Sequence, residues 1–383
     1  MSEAAEVFNP EFNPGGVEGA VDTNILPWIP VDGVNGMSIK TMRASAETGM
    51  YSIIVKLDKG AAMPVTVCLS GMDIFVLSGQ LVYRQDSDTS VLPPGSWGYV
   101  SANSKIAAIV AEEESEILLN AYGAIALLDN QHLLSRILTS LDIMRMARQH
   151  NVTLVPSTLS GCVVERQEPM TNEPQPLAIA MGNASHLIQT GEGGAANVGD
   201  FKHPHFVDTR EVPWITLDGM EAIGLKILRV SEDNGYVSLV VRHNGVAPGH
   251  THLGAGDFLI LEGRIGVRAG PPNGHGPGVW YFEPAGARHD ASQRLSDEDL
   301  IYYSNIYGPL AFDDGPGTPV TMVLSWIEYK AMAEAYGSKL VRCIHPDDSS
   351  LLASAPLVGA AVLHGEAKHL RQVLDAGPTI GQA

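Results

Sequence analysis

The sequence predicts an all-β protein made of two tandem copies of one small barrel, and three observations carry that prediction. The chain repeats itself over a whole domain. Its apolar segments are short, often β-branched and separated by turn residues. Helical periodicity appears only late in each copy.

The repeat fixes the architecture. Asp22 to Lys40 reads DTNILPWIPVDGVNGMSIK, and Asp208 to Lys226 reads DTREVPWITLDGMEAIGLK. DIFVLSGQL from Asp73 returns as DFLILEGRI from Asp257, and AYGAIALLD from Ala121 returns as IYGPLAFDD from Ile306. The offset stays at about 185 residues. Blocks in the same order at one offset mark a duplicated domain. Within each copy MYSIIVKL, DIFVLSG, YVSLVVRH and DFLILEGRIGV have strand composition, and regular short strands indicate a sandwich or barrel. Two apolar stripes at helical spacing follow. Leu134, Ile137, Leu138, Leu141 and Met144 form one, and Trp326, Tyr329, Ala333 and Tyr336 the other. Both are expected to pack outside the barrels.

The expected domains are 1–154, a linker or arm at 155–200, a second barrel at 201–345, and a tail at 346–383. The arm is rich in Pro, Gly, Ser, Asn and Gln, and its apolar patch PLAIAM is expected to cross as a strand to the other barrel. The tail is expected to hold a short helix through Leu363, Leu370 and Leu374.

Composition limits the function classes. Apolar residues at 45% and charged residues at 17% fit a folded globular protein. With 43 acidic against 24 basic residues, the formal charge of −19 repels phosphate backbones and anionic lipid, so neither nucleic acid nor a membrane is an expected partner. Three widely spaced cysteines, Cys68, Cys162 and Cys343, make neither a disulfide framework nor a zinc ribbon. With no secretory signal or apolar run of spanning length in view, the cytoplasm is the expected compartment.

The chemistry concentrates in the second copy. His250-Thr251-His252 is followed by Asp257 and then by Glu283-Pro-Ala-Gly-Ala-Arg-His289. Residues two apart on a strand share a face, with Cα atoms roughly 6.6 Å apart. Two such imidazoles can meet one ion at roughly 2.1 Å each, and a third from another strand completes a facial set with open positions opposite. Asp257 is a candidate fourth ligand, weighed against a structural role because its counterpart Asp73 is retained in a copy without a metal site. Glu283 is the candidate catalytic carboxylate, orienting a histidine or moving a proton. Trp280, Tyr281 and Tyr303 are candidates for the wall of an apolar substrate pocket. His203-Pro204-His205 has the same spacing but lies in the arm and is read as structural or exposed. In the first copy the His-x-His positions fall on Thr66-Val67-Cys68, and EPAGARH falls on VSANSKI from Val100 to Ile106, so every ligand is lost.

At these motifs the chain resembles the cupin superfamily, whose fold is a double-stranded β-helix of jelly-roll type. More narrowly, it is similar to the dioxygenases that cleave acetylacetone and 2,4′-dihydroxyacetophenone. VPWITLDGMEAIGLKILR, the histidine package, EPAGARH and NIYGPLAFDD carry the likeness, over most of 208–336 with a weaker echo over 22–150. The resemblance implies His250, His252 and His289 as ligands of a non-haem Fe(II), with Glu283 as an outer carboxylate. It further implies cleavage of a C–C bond beside the carbonyl of an enolisable ketone, a β-diketone or α-hydroxyketone including aromatic ones, with O2 as co-substrate. The alternatives are an isomerase, lyase or hydrolase with Zn, Ni or Mn, and a non-catalytic ligand sensor. Tandem copies often pack like two subunits of a dimer, so a pseudo-dimeric monomer and a homodimer are the two expected states. A single such barrel usually suffices in that family, so a tandem chain with a ligand-free first copy is a departure.

Overall fold

The computed structural model describes residues 19–85, 88–158, 174–182, 206–217, 220–267, 271–338 and 340–341. The tail helix, most of the arm, and His203 and His205 lie outside the described residues. The first copy supplies β1 (Gly19–Asp22), β2 (Met37–Ala44), β3 (Tyr51–Leu57), β4 (Thr66–Cys68) and β5 (Met72–Ser78). It continues with β6 (Ser96–Val100), β7 (Lys105–Ile106), β8 (Ser115–Ala121), β9 (Ile125–Leu128), β10 (Leu134–Leu138) and α1 (Ser140–Gln149). The second copy supplies β11 (Phe206–Asp208), β12 (Met220–Val230), β13 (Val237–His243), β14 (His250–His252) and β15 (Gly256–Glu262). It ends with β16 (Val279–Glu283), β17 (Arg288–His289), β18 (Ile301–Ile306), β19 (Leu310–Asp313), β20 (Val320–Leu324) and α2 (Trp326–Ala335). The fold is mainly β, with two tandem barrels as the repeat predicts. Among the described residues, no helix is long and apolar enough to cross a membrane.

Each barrel pairs a seven-stranded sheet with a four-stranded one, in matching order. In the second barrel the larger sheet runs β1-β16-β15-β18-β13-β12 and then 215–217, and the smaller runs β17-β14-β19-β20. In the first barrel the larger runs β11-β6-β5-β8-β3-β2 and then 29–30, and the smaller runs β7-β4-β9-β10. The outermost strand of each large sheet therefore comes from the other copy. β1 pairs antiparallel with β16 from Gly19↔Phe282 to Asp22↔Val279, and β11 pairs with β6 from Ser96↔Asp208 to Gly98↔Phe206. The sheets exchange strands across the expected domain boundaries.

This exchange explains the repeated DT…PW…K block. Thr23 donates through its amide and hydroxyl to Gly278 O, at 3.0 and 2.6 Å, and Thr209 does the same to Gly95 O, at 3.1 and 2.6 Å. Behind each threonine a buried lysine donates to its carbonyl: Lys40 to Thr23 O at 2.8 Å and Lys226 to Thr209 O at 2.7 Å. Each ammonium also sits over a tryptophan ring, Lys40 over Trp28 and Lys226 over Trp214. Burial lowers both lysine pKa values to about 8. Gly278 has φ +87°, and a Cβ there would meet Asn24 atoms at 2.6 Å. Gly278→Ala therefore combines left-handed strain with a clash at the latch. Its expected cost is on the order of 2 kcal/mol, read as a lower urea midpoint at unchanged slope.

Two expectations about local structure are corrected. Residues 134–144 are not one helix: β10 pairs with β9, and α1 begins after it, with Thr139 and Asp142 forming a reciprocal N-terminal cap. The alternating exposure of Leu134 to Leu138 is that of a strand, and Leu141 is exposed, so the five residues share no face. α2 forms as expected and buries Tyr329 and Ala333, while Tyr336 lies past its end and is exposed. PLAIAM does not form a strand. Ala178–Met181 is a short 3-10 turn, with Leu177 and Ile179 buried, packed against β5 of one barrel and β15 of the other. It is tied down by Leu177 N donating to Asn24 Oδ1 and Ala178 N to Glu116 Oε2. The patch thus bridges the barrels by side-chain burial and not by sheet pairing.

Between the barrels lies a buried polar layer related by the repeat. Asp73 accepts from Asn120 at 3.0 Å and Tyr122 at 2.6 Å. Its counterpart Asp257 accepts from Asn305 at 3.5 Å and Tyr307 at 2.5 Å. Arg43 lies over the Phe282 ring at 3.8 Å, and Arg229 over the Tyr99 ring at 3.6 Å. The polar residues that the two copies share thus cluster where the copies meet.

Candidate metal centre

The second barrel brings three histidines together between its two sheets. His250 and His252 stand on β14, and His289 on the two-residue β17, which pairs with it at His250↔His289. Their ligand atoms all lie within 4.8 Å of one another. His250 Nε2 and His289 Nε2 are 3.1 Å apart.

The backbone decides which nitrogens face inward. His289 Nδ1 lies 2.7 Å from Asp290 O, and His250 Nδ1 lies 3.2 Å from Pro248 O. A carbonyl only accepts, so both Nδ1 atoms carry the proton and both Nε2 atoms present lone pairs. His252 turns its Nδ1 edge against Gly256, where a Cβ would come within 2.9 Å of the ring. Lone pairs facing each other at 3.1 Å repel unless a cation sits between them. His252 Nδ1 makes no hydrogen bond, and His252 Nε2 faces the Glu283 carboxylate. The donor set therefore fits a divalent metal bound by three neutral imidazoles. Burial above all holds His250 well below its ordinary pKa, as a metal ligand requires.

Glu283 enters from the opposite sheet, at the end of β16. Its Oε2 lies 2.9 Å from His252 Nε2 and its Oε1 3.5 Å from His289 Nε2. Burial works against its ionisation, but the neighbouring His252 and His289 outweigh burial and keep the carboxyl well below its usual range. It stands beside the triad as a buried carboxylate.

The sites expected of Asp257, Trp280, Tyr281 and Tyr303 are corrected. Asp257 does not join the histidines, because alternation along β15 turns it toward Tyr307 and the first barrel while Gly256 and Phe258 face the site. Trp280 is fully buried in the core shared by the two barrels. Tyr303 belongs to the interface, where its hydroxyl accepts from Trp97 Nε1 at 2.8 Å and reaches Asp73 Oδ1 at 3.1 Å. Tyr281 faces the barrel interior but sits behind Phe258, stacked on it at 4.3 Å.

The wall is built instead from residues the sequence reasoning missed. A cavity of about 120 Å³ adjoins the histidines, and its aromatic lining is Phe258, Tyr302, Phe312 and Tyr329. Tyr302 and Ser304 alternate with the interface residues Tyr303 and Asn305, so on β18 the cavity wall and the interface lie one position apart in register. A usable signal existed: Asn305 and Tyr307 recur as Asn120 and Tyr122 in the ligand-free copy, marking their face as shared structure. Among the described lining residues Glu283 is the one carboxylate, and there is no lysine or arginine.

The first barrel repeats the frame without the chemistry. Thr66 pairs with Ile106 as His250 does with His289, and Met72 pairs with Val100 as Gly256 does with Glu283. Thr66, Cys68, Val100 and Ile106 are all buried, and burial pushes the Cys68 thiol far up.

The profile of the ChrR Cupin-like domain matches residues 17–126 and again residues 202–310. The chain belongs to this cupin family. It carries the domain twice, and the four histidine and glutamate positions described above fall within the second match. Similar solved structures include a Nostoc punctiforme protein assigned as a dioxygenase, 15% identical over 80% of this chain and 86% of that one, with a TM-score of 0.47. Oxalate decarboxylase from Bacillus subtilis is 13% identical over 75% of each chain, with a TM-score of 0.42. An acetylacetone dioxygenase from Acinetobacter johnsonii is 21% identical over 30% of this chain and 78% of that one, with a TM-score of 0.26. A search of curated protein sequences gave no match. At these identities the structural likenesses concern the fold, and the chemistry has to be argued from the site.

Proposed function

We propose that the second cupin barrel is a non-haem Fe(II) dioxygenase that cleaves the C–C bond beside the carbonyl of a small enolisable ketone with O2, in the cytoplasm. The observation that carries this reading is three histidines gathered at an apolar cavity that has no cationic side chain among its described lining residues. Three neutral ligands leave the full charge of a divalent ion to a bound ligand, which suits a singly charged, bidentate enolate. A dicarboxylate would lack any cationic partner in the described wall. Ferrous iron held there would supply Lewis acidity toward the enolate and electrons toward O2.

The remaining work falls to this chain's residues. His250, His252 and His289 would hold the ion, and the carbonyls of Pro248 and Asp290 fix the tautomers of His250 and His289. Glu283 receives the proton lost when the ketone enolises, since it is the carboxylate that borders the cavity. Phe258, Phe312 and Tyr302 exclude water and bury the substrate's carbon skeleton. The cavity of about 120 Å³ compares with engineered apolar cavities of roughly 150 Å³ that accept benzene, so a compact substrate is favoured.

Metal content and oxygen uptake test the proposal. Protein produced without a histidine tag is expected to carry about one iron per second barrel, or to take it up anaerobically, and to consume O2 when given short β-diketones or α-hydroxyketones. Zinc, nickel or manganese at full occupancy with no ketone-dependent O2 uptake would replace the dioxygenase with an isomerase, lyase or hydrolase. Failure to bind any of these metals would leave a ligand-binding barrel.

A further inference from the structure

We propose that the ligand-free first barrel is a positioning element for the metal centre of the second, acting through Arg43 on the strand that carries Glu283. The inference rests on the metal-centre reading but not on the reaction.

β16 would be the edge of its sheet if the first copy did not cover it with β1. Its residues alternate between two tasks. Trp280 and Phe282 face the shared core, and Glu283 faces the cavity. The Arg43 guanidinium lies 3.8 Å from the centre of the Phe282 ring, directly before Glu283 in the chain. Arg43 is itself held: it is buried, its Nε donates to Ser157 Oγ at 3.0 Å, and its charge lies near the Asp257 carboxylate. A planar cation stacked on an aromatic face fixes the position and tilt of that ring. Phe282 and Glu283 share a peptide unit, so a displaced ring moves the carboxylate. β18 has the same arrangement: Tyr303, bonded to Trp97 and Asp73 of the first copy, is flanked by Tyr302 and Ser304 at the cavity. Two strands bordering the centre are thus held from behind by the other copy.

The repeat supplies a control within the same molecule. Arg229, the counterpart of Arg43, stacks at 3.6 Å on Tyr99, which precedes Val100, the residue in Glu283's place. Arg229 makes the same kind of contact on a barrel with no ligands. Losing either stack should loosen the interface, but only the Arg43 stack should reach the metal.

Arg43→Met and Arg229→Met in the full chain separate positioning from plain stability. Co(II) affinity is measured by calorimetry, and hydrogen exchange by mass spectrometry over 279–283 and 96–100. Arg43→Met is expected to weaken Co(II) binding about tenfold and to raise exchange over 279–283. Arg229→Met is expected to leave affinity within about twofold of wild type while raising exchange over 96–100. If Arg43→Met fails to fold, Arg43→Lys, which keeps the charge and loses the planar stack, is expected to show the same changes at smaller size. Equal effects of the two variants on affinity, or unchanged exchange over 279–283 in the Arg43 variants, would overturn the proposal. A wild-type chain that binds no Co(II) would overturn the metal centre instead, and the exchange comparison would still decide whether Arg43 holds the strand.

Discussion

Replacing His250 by Thr and His289 by Ile together is expected to abolish metal binding while leaving the barrel folded. These are the residues the first copy carries at the same places, in the same cross-strand pair. That copy packs Thr66 and Ile106 into its core, so the frame tolerates both side chains. The substitution removes two of the three candidate ligands and the lone-pair repulsion between two Nε2 atoms 3.1 Å apart. Metal affinity should fall by well over the roughly 10–100-fold that loss of an outer partner costs. The metal-free variant should match or exceed the metal-free wild type in urea. Loaded wild type should pull ahead by about 2.7 kcal/mol when free metal stands at a hundred times its dissociation constant. Retained stoichiometric metal in the variant would show that these histidines are not the ligands.

The second large effect concerns the buried carboxylates between the barrels. Burial, most of all, raises Asp257 to about 7 and Asp73 to about 6, against the pull of their tyrosine and asparagine donors. A folded-state pKa raised above the unfolded value gives stability that is complete below the unfolded pKa and lost as pH rises through the folded one. For Asp257 that window runs from about 3.8 to about 7. The neutral, buried His250 has the opposite sign, since its lowered pKa makes stability grow as pH rises toward its ordinary value. The raw pH profile therefore mixes the two, and a comparison with Asp257→Asn separates them. Unfolding free energies taken at pH 4.5 and 8 should show wild type losing ground to the variant as pH rises, by on the order of 3 kcal/mol at most. A difference that stays flat with pH would mean that Asp257 ionises at its usual place, satisfied by Tyr307 and Arg43.

The duplication, the β class and the three histidines that the fold gathers were legible in the sequence alone. Repeats and His-x-His spacing are local properties, and a period of two on a strand is enough to put His250 and His252 on one face. Loss of the ligands in the first copy was equally legible, because Thr66, Val100 and Ile106 align without reference to any contact. Position along the strand could not say which neighbour covers each face. Alternation divides β15, β16 and β18 into two sets of residues, but both faces are buried and both carry aromatic side chains. Residue type does not distinguish Tyr302 from Tyr303, or Phe258 from Trp280; on β18 only the recurrence of Asn305 and Tyr307 in the first copy marks the shared face. It took the packed fold to show that β1 and β11 change barrels and that the repeated Asp, Asn, Tyr and Arg residues face each other across the junction. That exchange takes Asp257, Trp280 and Tyr303 away from the three histidines and leaves Phe258, Tyr302 and Phe312 to line the cavity. The physical reason is that a face is assigned by what packs on it, and here the packing partner is the other copy, about 185 residues away in the chain.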